Sequence, residues 1–173
     1  MLRKIVLFIL IATFFVLQTT FFQFASFAGI APNLLIILLS SFSLMRGRKE
    51  GMYIGIFCGL LIDIFCGFYY GVYALIYMYI GYINGLFQKR FYPEDIKLPM
   101  LLIAGSDLAL NLVIYIAMFL TRRRYHFLYY LKAVIIPELV YTMVITIFLY
   151  FILLKVNQKL EAYEKRSALK FDL

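Results

Sequence analysis

Between Gly47 and Gly71 the chain reads GRKEGMYIGIFCGLLIDIFCGFYYG, and every fourth position is Gly47, Gly51, Gly55, Gly59, Asp63, Gly67 and Gly71. A four-residue step turns an α-helix by about 400°, so each member of the series drifts only about 40° from the last. Gly55, Gly59 and Asp63 therefore share one face, a strip of bare backbone that ends in a carboxyl group. In a helix surrounded by water, glycine costs about 1 kcal/mol relative to alanine. In a membrane the same residues let a neighbouring helix approach closely. A carboxylate in hydrocarbon costs about 2.5–3.5 kcal/mol, so Asp63 has to face protein or trapped water. Two readings follow. One is ordinary helix packing, with Asp63 a satisfied structural group; the other is a docking strip for a second protein.

The rest of the chain decides for a membrane. Of 173 residues, 65% are hydrophobic and 15% charged, against roughly half and a quarter in soluble domains. No stretch is long and polar enough for a separate soluble domain. The net charge of +8 would suggest nucleic acid in a soluble protein; here its distribution along the chain matters more. Cys58 and Cys66 are the only cysteines, both in apolar sequence, and read as small buried hydrophobes. With His126 the single histidine, a zinc site is not expected, and no cofactor is implied.

Hydropathy and punctuation predict an all-α bundle of about six transmembrane helices. They run from about Ile5 to Phe24, Ile30 to Met45, Gly51 to Cys66, Tyr70 to Phe87, Pro99 to Leu120 and Ala133 to Leu154. The first run follows Arg3 and Lys4 and is long enough to cross about 30 Å of hydrocarbon. A cleaved signal peptide competes there, but Ala25-Ser26-Phe27-Ala28 is a weak cleavage site. Pro32 suits the first turn of helix 2, and Pro137 suits the start of helix 6. Helices 2 and 3 are short for full crossings. Gly81 and Gly85 give helix 4 a second small-xxx-small pair. The reading assigns residues 1–154 to one membrane domain. Residues 155–173 form a charged cytoplasmic tail, either a short amphipathic extension or disordered.

With both termini in the cytoplasm, thirteen lysines and arginines lie inside and four outside, as the positive-inside rule requires. The four are Arg122, Arg123, Arg124 and Lys132, between helices 5 and 6. They read as an interfacial segment snorkelling to headgroups, or as an outer partner site where arginines meet an acidic surface. An outward-facing loop meets no nucleic acid.

Three acids fall inside helices, Asp63, Asp107 and Glu138. No lysine or arginine lies at mid-depth to pair with them, so hydrogen bonds from groups such as Asn111, Tyr73 and Tyr77 are expected. Asp107 and Asn111 are one turn apart on one face. Glu138 lies near the basic loop, within reach of Arg124 or Lys132. An aspartyl dyad, as in intramembrane peptidases, needs two carboxylates at one depth. The Asn- and Phe-rich motifs of lipoprotein signal peptidases are missing, as are GxSxG, HExxH and a phosphate loop. The protein is not expected to be an enzyme.

APNLLIILLSSFSLMRGRKEG, from Ala31 to Gly51, and GIFCGLLIDIFCGFYYGVYAL, from Gly55 to Leu75, followed by a glycine-containing helix 4, resemble the bacterial rod shape-determining MreD family. Pro32-Asn33, the Arg46-Gly47 turn, and Gly55, Gly59, Asp63, Gly67 and Gly71 carry the likeness; helices 5 and 6 match in hydropathy alone. The resemblance implies a multi-pass protein of the bacterial cytoplasmic membrane and membership of the complex that elongates the peptidoglycan wall. It also implies association with MreC, a single-span protein with a large outer domain. Through MreC it implies links to MreB filaments, the RodA glycosyltransferase and a class B penicillin-binding transpeptidase. It implies a fold similar to the S components of energy-coupling-factor vitamin transporters, and no catalysis.

The expectation is thus a non-enzymatic scaffold whose partner site comprises Gly55, Gly59, Asp63, Gly67 and Gly71, with Arg122, Arg123 and Arg124 on the outer loop. Asp63, Asp107, Asn111 and Glu138 are its buried polar groups. The alternative is a vitamin-binding S component, although the AxxxA pattern of that group is missing from helix 1. A proton-coupled transporter with Asp63 or Asp107 as relay would show an inverted repeat, and none is evident.

Overall fold

The computed structural model describes residues 2–21, 31–65, 71–92, 96–122 and 127–171. Among them are six principal helices and no β-strand. Helix α1 is Leu2–Val16, prolonged by a π-helical turn, Leu17–Phe21. Then come α2 Leu34–Arg46, α3 Arg48–Phe65 and α4 Val72–Leu86, the last closed by a 3₁₀ turn, Phe87–Arg90. Helix α5 is Lys97–Arg122 and α6 is Ile136–Phe171. A helical turn, Phe127–Tyr130, and a π-helical turn, Leu131–Ile135, lead into α6. Pro137 cannot donate to a carbonyl one turn back, and a widened turn just before it accommodates that lost bond.

Three of these helices are long and apolar enough to cross a membrane, the windows being Arg3–Thr20, Lys97–Ala117 and Ile136–Glu164. Helix α2 is different. Its 13 residues span about 20 Å, short of the roughly 30 Å hydrocarbon core. Every residue from Leu34 to Met45 is buried, because α1, α3, α4, α5 and α6 all pack around it. A helix apolar on all sides can be wrapped on all sides. Moving its leucines from lipid to protein gains little by itself, so close packing and internal hydrogen bonds hold it there.

A helix that begins inside the bilayer must satisfy its first N–H groups within the protein. Four side-chain and turn contacts do this for α2. Asn33 N–H donates to Thr142 Oγ1 at 3.1 Å, and Leu35 N–H to Gln18 Oε1 at 3.0 Å. Ile36 N–H donates to the Asn33 side chain at 3.3 Å, and Leu34 N–H to the Pro32 carbonyl at 3.2 Å. Pro32 therefore precedes the helix instead of opening it, and Asn33 is the cap. At the other end a single residue, Gly47 at φ +91°, separates α2 from α3. Left-handed backbone there is open to glycine and strained for most other residues.

Helix α6 also differs from expectation. It does not stop near Leu154 but continues to Phe171, 36 residues or about 54 Å. Asn157 and Leu160 are buried against the bundle. Ion pairs hold this extension in place. Glu164 bonds Arg3 at 2.9 Å and Arg46 at 3.0 Å, while Arg3 reaches Glu50 at 2.7 Å. Arg46 Nε also donates to Asn157 Oδ1 at 2.6 Å. One end of the bundle, where α1 begins and α2 ends, is thus tied by charge to the last helix.

Candidate functional site

The glycine strip of α3 faces α4 of the same chain. A Cβ on Gly51 would strike the backbone of Gly81, one on Gly55 the backbone of Tyr77, and one on Gly59 the backbone of Tyr73 and Ala74. From the other side, a Cβ on Gly85 would strike Gly47 and Arg48. The two glycine series predicted on helices 3 and 4 are therefore partners of each other, and two backbones meet with no side chain between them. The expectation that Gly55 and Gly59 receive another protein's span is corrected: that face is filled from within, because the α4 backbone already occupies the space beside both glycines. The ordinary packing reading describes it.

Asp63 completes this seam. It is 2% exposed, and its two oxygens accept the N–H groups of Tyr73 at 3.2 Å and Ala74 at 2.9 Å. These are free N–H groups of the first turn of α4, whose own cap residue, Gly71, has no side chain to offer. A carboxylate at a helix N-terminus is also favoured by the helix dipole. Asp63 is thus a capping group donated by the neighbouring helix. Gly71 sits at φ +92° with nothing within 4 Å of its missing Cβ, so its conformation, not a close contact, calls for glycine.

The other predicted residues are scattered. Gly67, Arg123 and Arg124 lie outside the described residues, and Arg122 ends α5. Asp107 and Asn111 are 1% and 5% exposed, and the Asn111 amide donates to the Asp107 carbonyl at 3.1 Å. Neither Asp107 carboxyl oxygen has a hydrogen-bond partner among the described residues. Glu138 is half-buried beside Asn111 and within electrostatic reach of Asp107. No ion pair joins it to Lys132; Arg124 lies outside the described residues.

Thr142 and Gln18 escaped the sequence reading, and Asn33 entered it only through the Pro32-Asn33 likeness, although all three satisfy the start of α2. Tyr77, expected to donate to a buried acid, is fully buried and its hydroxyl donates instead to Asn33 Oδ1 at 3.2 Å. Asn84 escaped too: its amide nitrogen donates to Ser40 at 2.9 Å and to Ser106 at 2.8 Å, joining α4, α2 and α5. A signal existed in each case. Asn33 stands before a long apolar run, as caps do, and Asn84 interrupts an apolar helix between two glycines.

Chemically, these groups act as connectors. Asp63 is held by backbone N–H groups at one helix start, and Asp107 and Glu138 gather near another. Among the described residues no cluster of three His, Cys, Asp or Glu side chains forms.

Fold and sites together define a helical integral membrane protein whose buried polar residues fasten helix to helix. The family model for rod shape-determining protein MreD matches residues 1–160. The chain belongs to that family, one of shape-determining structural membrane proteins and not a known family of enzymes. No curated protein and no solved structure matches the chain.

Proposed function

We propose that this protein is a non-catalytic scaffold of the wall-elongation complex in the cytoplasmic membrane. It binds an MreC-type bitopic protein and through it connects MreB filaments, RodA and a class B penicillin-binding transpeptidase. The family match over residues 1–160 is the observation that carries this reading. Both termini face the cytoplasm, in keeping with the distribution of lysine and arginine. The charged end where Arg3, Arg46, Glu50 and Glu164 meet is then the cytoplasmic end.

A rigid bundle suits such a role, because a scaffold must hold its outer faces in fixed relation. The glycine seam and the chain of ion pairs from Glu50 through Arg3 and Glu164 to Arg46 supply that rigidity from within the bundle. The partner site then lies on a face the bundle leaves to lipid or on the outer basic segment that carries Arg122, Arg123 and Arg124.

The test is depletion in the native rod-shaped host, with complementation, alongside co-purification with the co-expressed MreC-type protein. Rounded cells and a recovered complex are the expected results. Cells that keep their shape and elongate normally after depletion would end this reading.

A further inference from the structure

With the α3 strip sealed, one small-xxx-small pair among the described residues remains on an outer face. Gly105 and Ala109 are one turn apart on the exposed side of α5, and nothing lies within 4 Å of where a Gly105 Cβ would be. They border a cleft of about 200 Å³ between α4 and α5, which Ile83 and Leu101 help to line.

A second observation concerns the polar side chain that lines this cleft, Asn84, only 3% exposed. The Ser106 hydroxyl donates to the Leu102 carbonyl at 2.7 Å, so it can only accept from Asn84. That fixes the orientation of the amide. Both its N–H bonds are used, on Ser40 and Ser106, and its Oδ1 accepts nothing from any described residue. Ser40 lies about 9 Å inside the Arg46 end of α2. Asn84 Oδ1 is not among the unpartnered atoms sealed inside the bundle, so a donor can reach it from the cleft.

We infer that this cleft receives a single membrane-spanning helix of another protein, seated on Gly105 and Ala109 and donating a hydroxyl or amide hydrogen to Asn84 Oδ1. A lipid acyl chain fills apolar space but carries no donor. The volume is below the roughly 300–1,000 Å³ of small-molecule pockets, yet it suits one ridge of side chains on a helix. Bare backbone beside a free acceptor is the combination that membrane helices use to associate. The inference rests on the scaffold reading and gives its partner site a location.

The test uses the full chain co-expressed with its bitopic partner. Gly105→Leu and Ala109→Leu point into open space or lipid, so both variants should insert and remain monodisperse while partner recovery falls about tenfold or more. Phe8→Leu on α1 and Phe148→Leu on α6 change other exposed faces and should leave recovery unchanged. With Cys58 and Cys66 replaced by alanine, Gly105→Cys should form disulfides with cysteines walked along the partner's span, at a helical period. Cross-links confined to Phe8→Cys or Phe148→Cys would place the partner elsewhere and overturn the inference while the scaffold reading stands. So would a phospholipid found by native mass spectrometry in wild type, lost in Gly105→Leu without change in partner recovery. Wild type that recovers no partner at all removes both.

Discussion

The Asp63 carboxylate reaches the backbone N–H of Ala74 at 2.9 Å, bridging two helices through the start of the second. An isolated capping bond contributes about 1 kcal/mol. Here the acceptor is itself only 2% exposed and takes two N–H groups of the next helix. Asp63→Ala should therefore cost about 1–3 kcal/mol and lower the thermal unfolding midpoint in detergent. Asp63→Asn keeps one acceptor and should recover most of the loss. A midpoint unchanged in Asp63→Ala contradicts the capping role.

Gly55 and Gly59 should tolerate nothing larger, since their Cβ positions are taken by the backbone of α4. Overpacking of this kind costs about 1–3 kcal/mol or more. Gly59→Leu should appear as aggregated or destabilised protein in size-exclusion chromatography, with or without a partner present. A monodisperse Gly59→Leu protein that merely failed to bind its partner would restore the docking strip expected from sequence.

Asn33 serves two partners, the N–H of Ile36 and the hydroxyl of Tyr77. Asn33→Ala strands both, and a cost of about 1–3 kcal/mol follows from the lost bonds. Tyr77→Phe should restore part of the deficit in the Asn33→Ala background, because it removes one stranded hydroxyl. Thermal unfolding of the two single variants and the double variant measures that coupling.

Glu164 lies more than 20 residues into α6 and so beyond the hydrocarbon. Partial burial pushes its carboxyl up, but the Arg46 hydrogen bond and the Arg46 and Arg3 charges outweigh that and hold it below the ordinary 4.5. Its stabilisation is complete above about pH 4.5 and is lost as pH falls through the lowered folded value. Glu164→Gln should flatten this acid limb of a melting-temperature profile. Because the side chain is 37% exposed, the effect should shrink in high salt.

Much of this architecture could be read from the residues, and the reasons differ from element to element. Six apolar runs separated by prolines, glycines and charges set the helices, since hydrocarbon leaves the backbone no other solution. Gly55, Gly59 and Asp63 announced a close approach, but a period-four strip carries no information about whose helix approaches. The central place of α2 was hidden for a similar reason. In water an all-apolar helix must be interior, whereas lipid accepts the same surface, so Leu34 to Met45 fit a peripheral span equally well. The helix beyond Lys155 looked like a tail because its charges, taken alone, resemble solvated sequence. Their partners, Arg3 and Arg46, are more than a hundred residues away.

The bond from Asn33 to Thr142 joins positions 109 residues apart. The second helix is made early, yet the hydroxyl that closes its first turn emerges only with the sixth. Until the sixth helix is made, the Asn33 N–H lacks this acceptor. The finished bundle is an order of assembly as much as a shape, and a chain truncated before Thr142 should be recognised by the cell as incomplete and degraded.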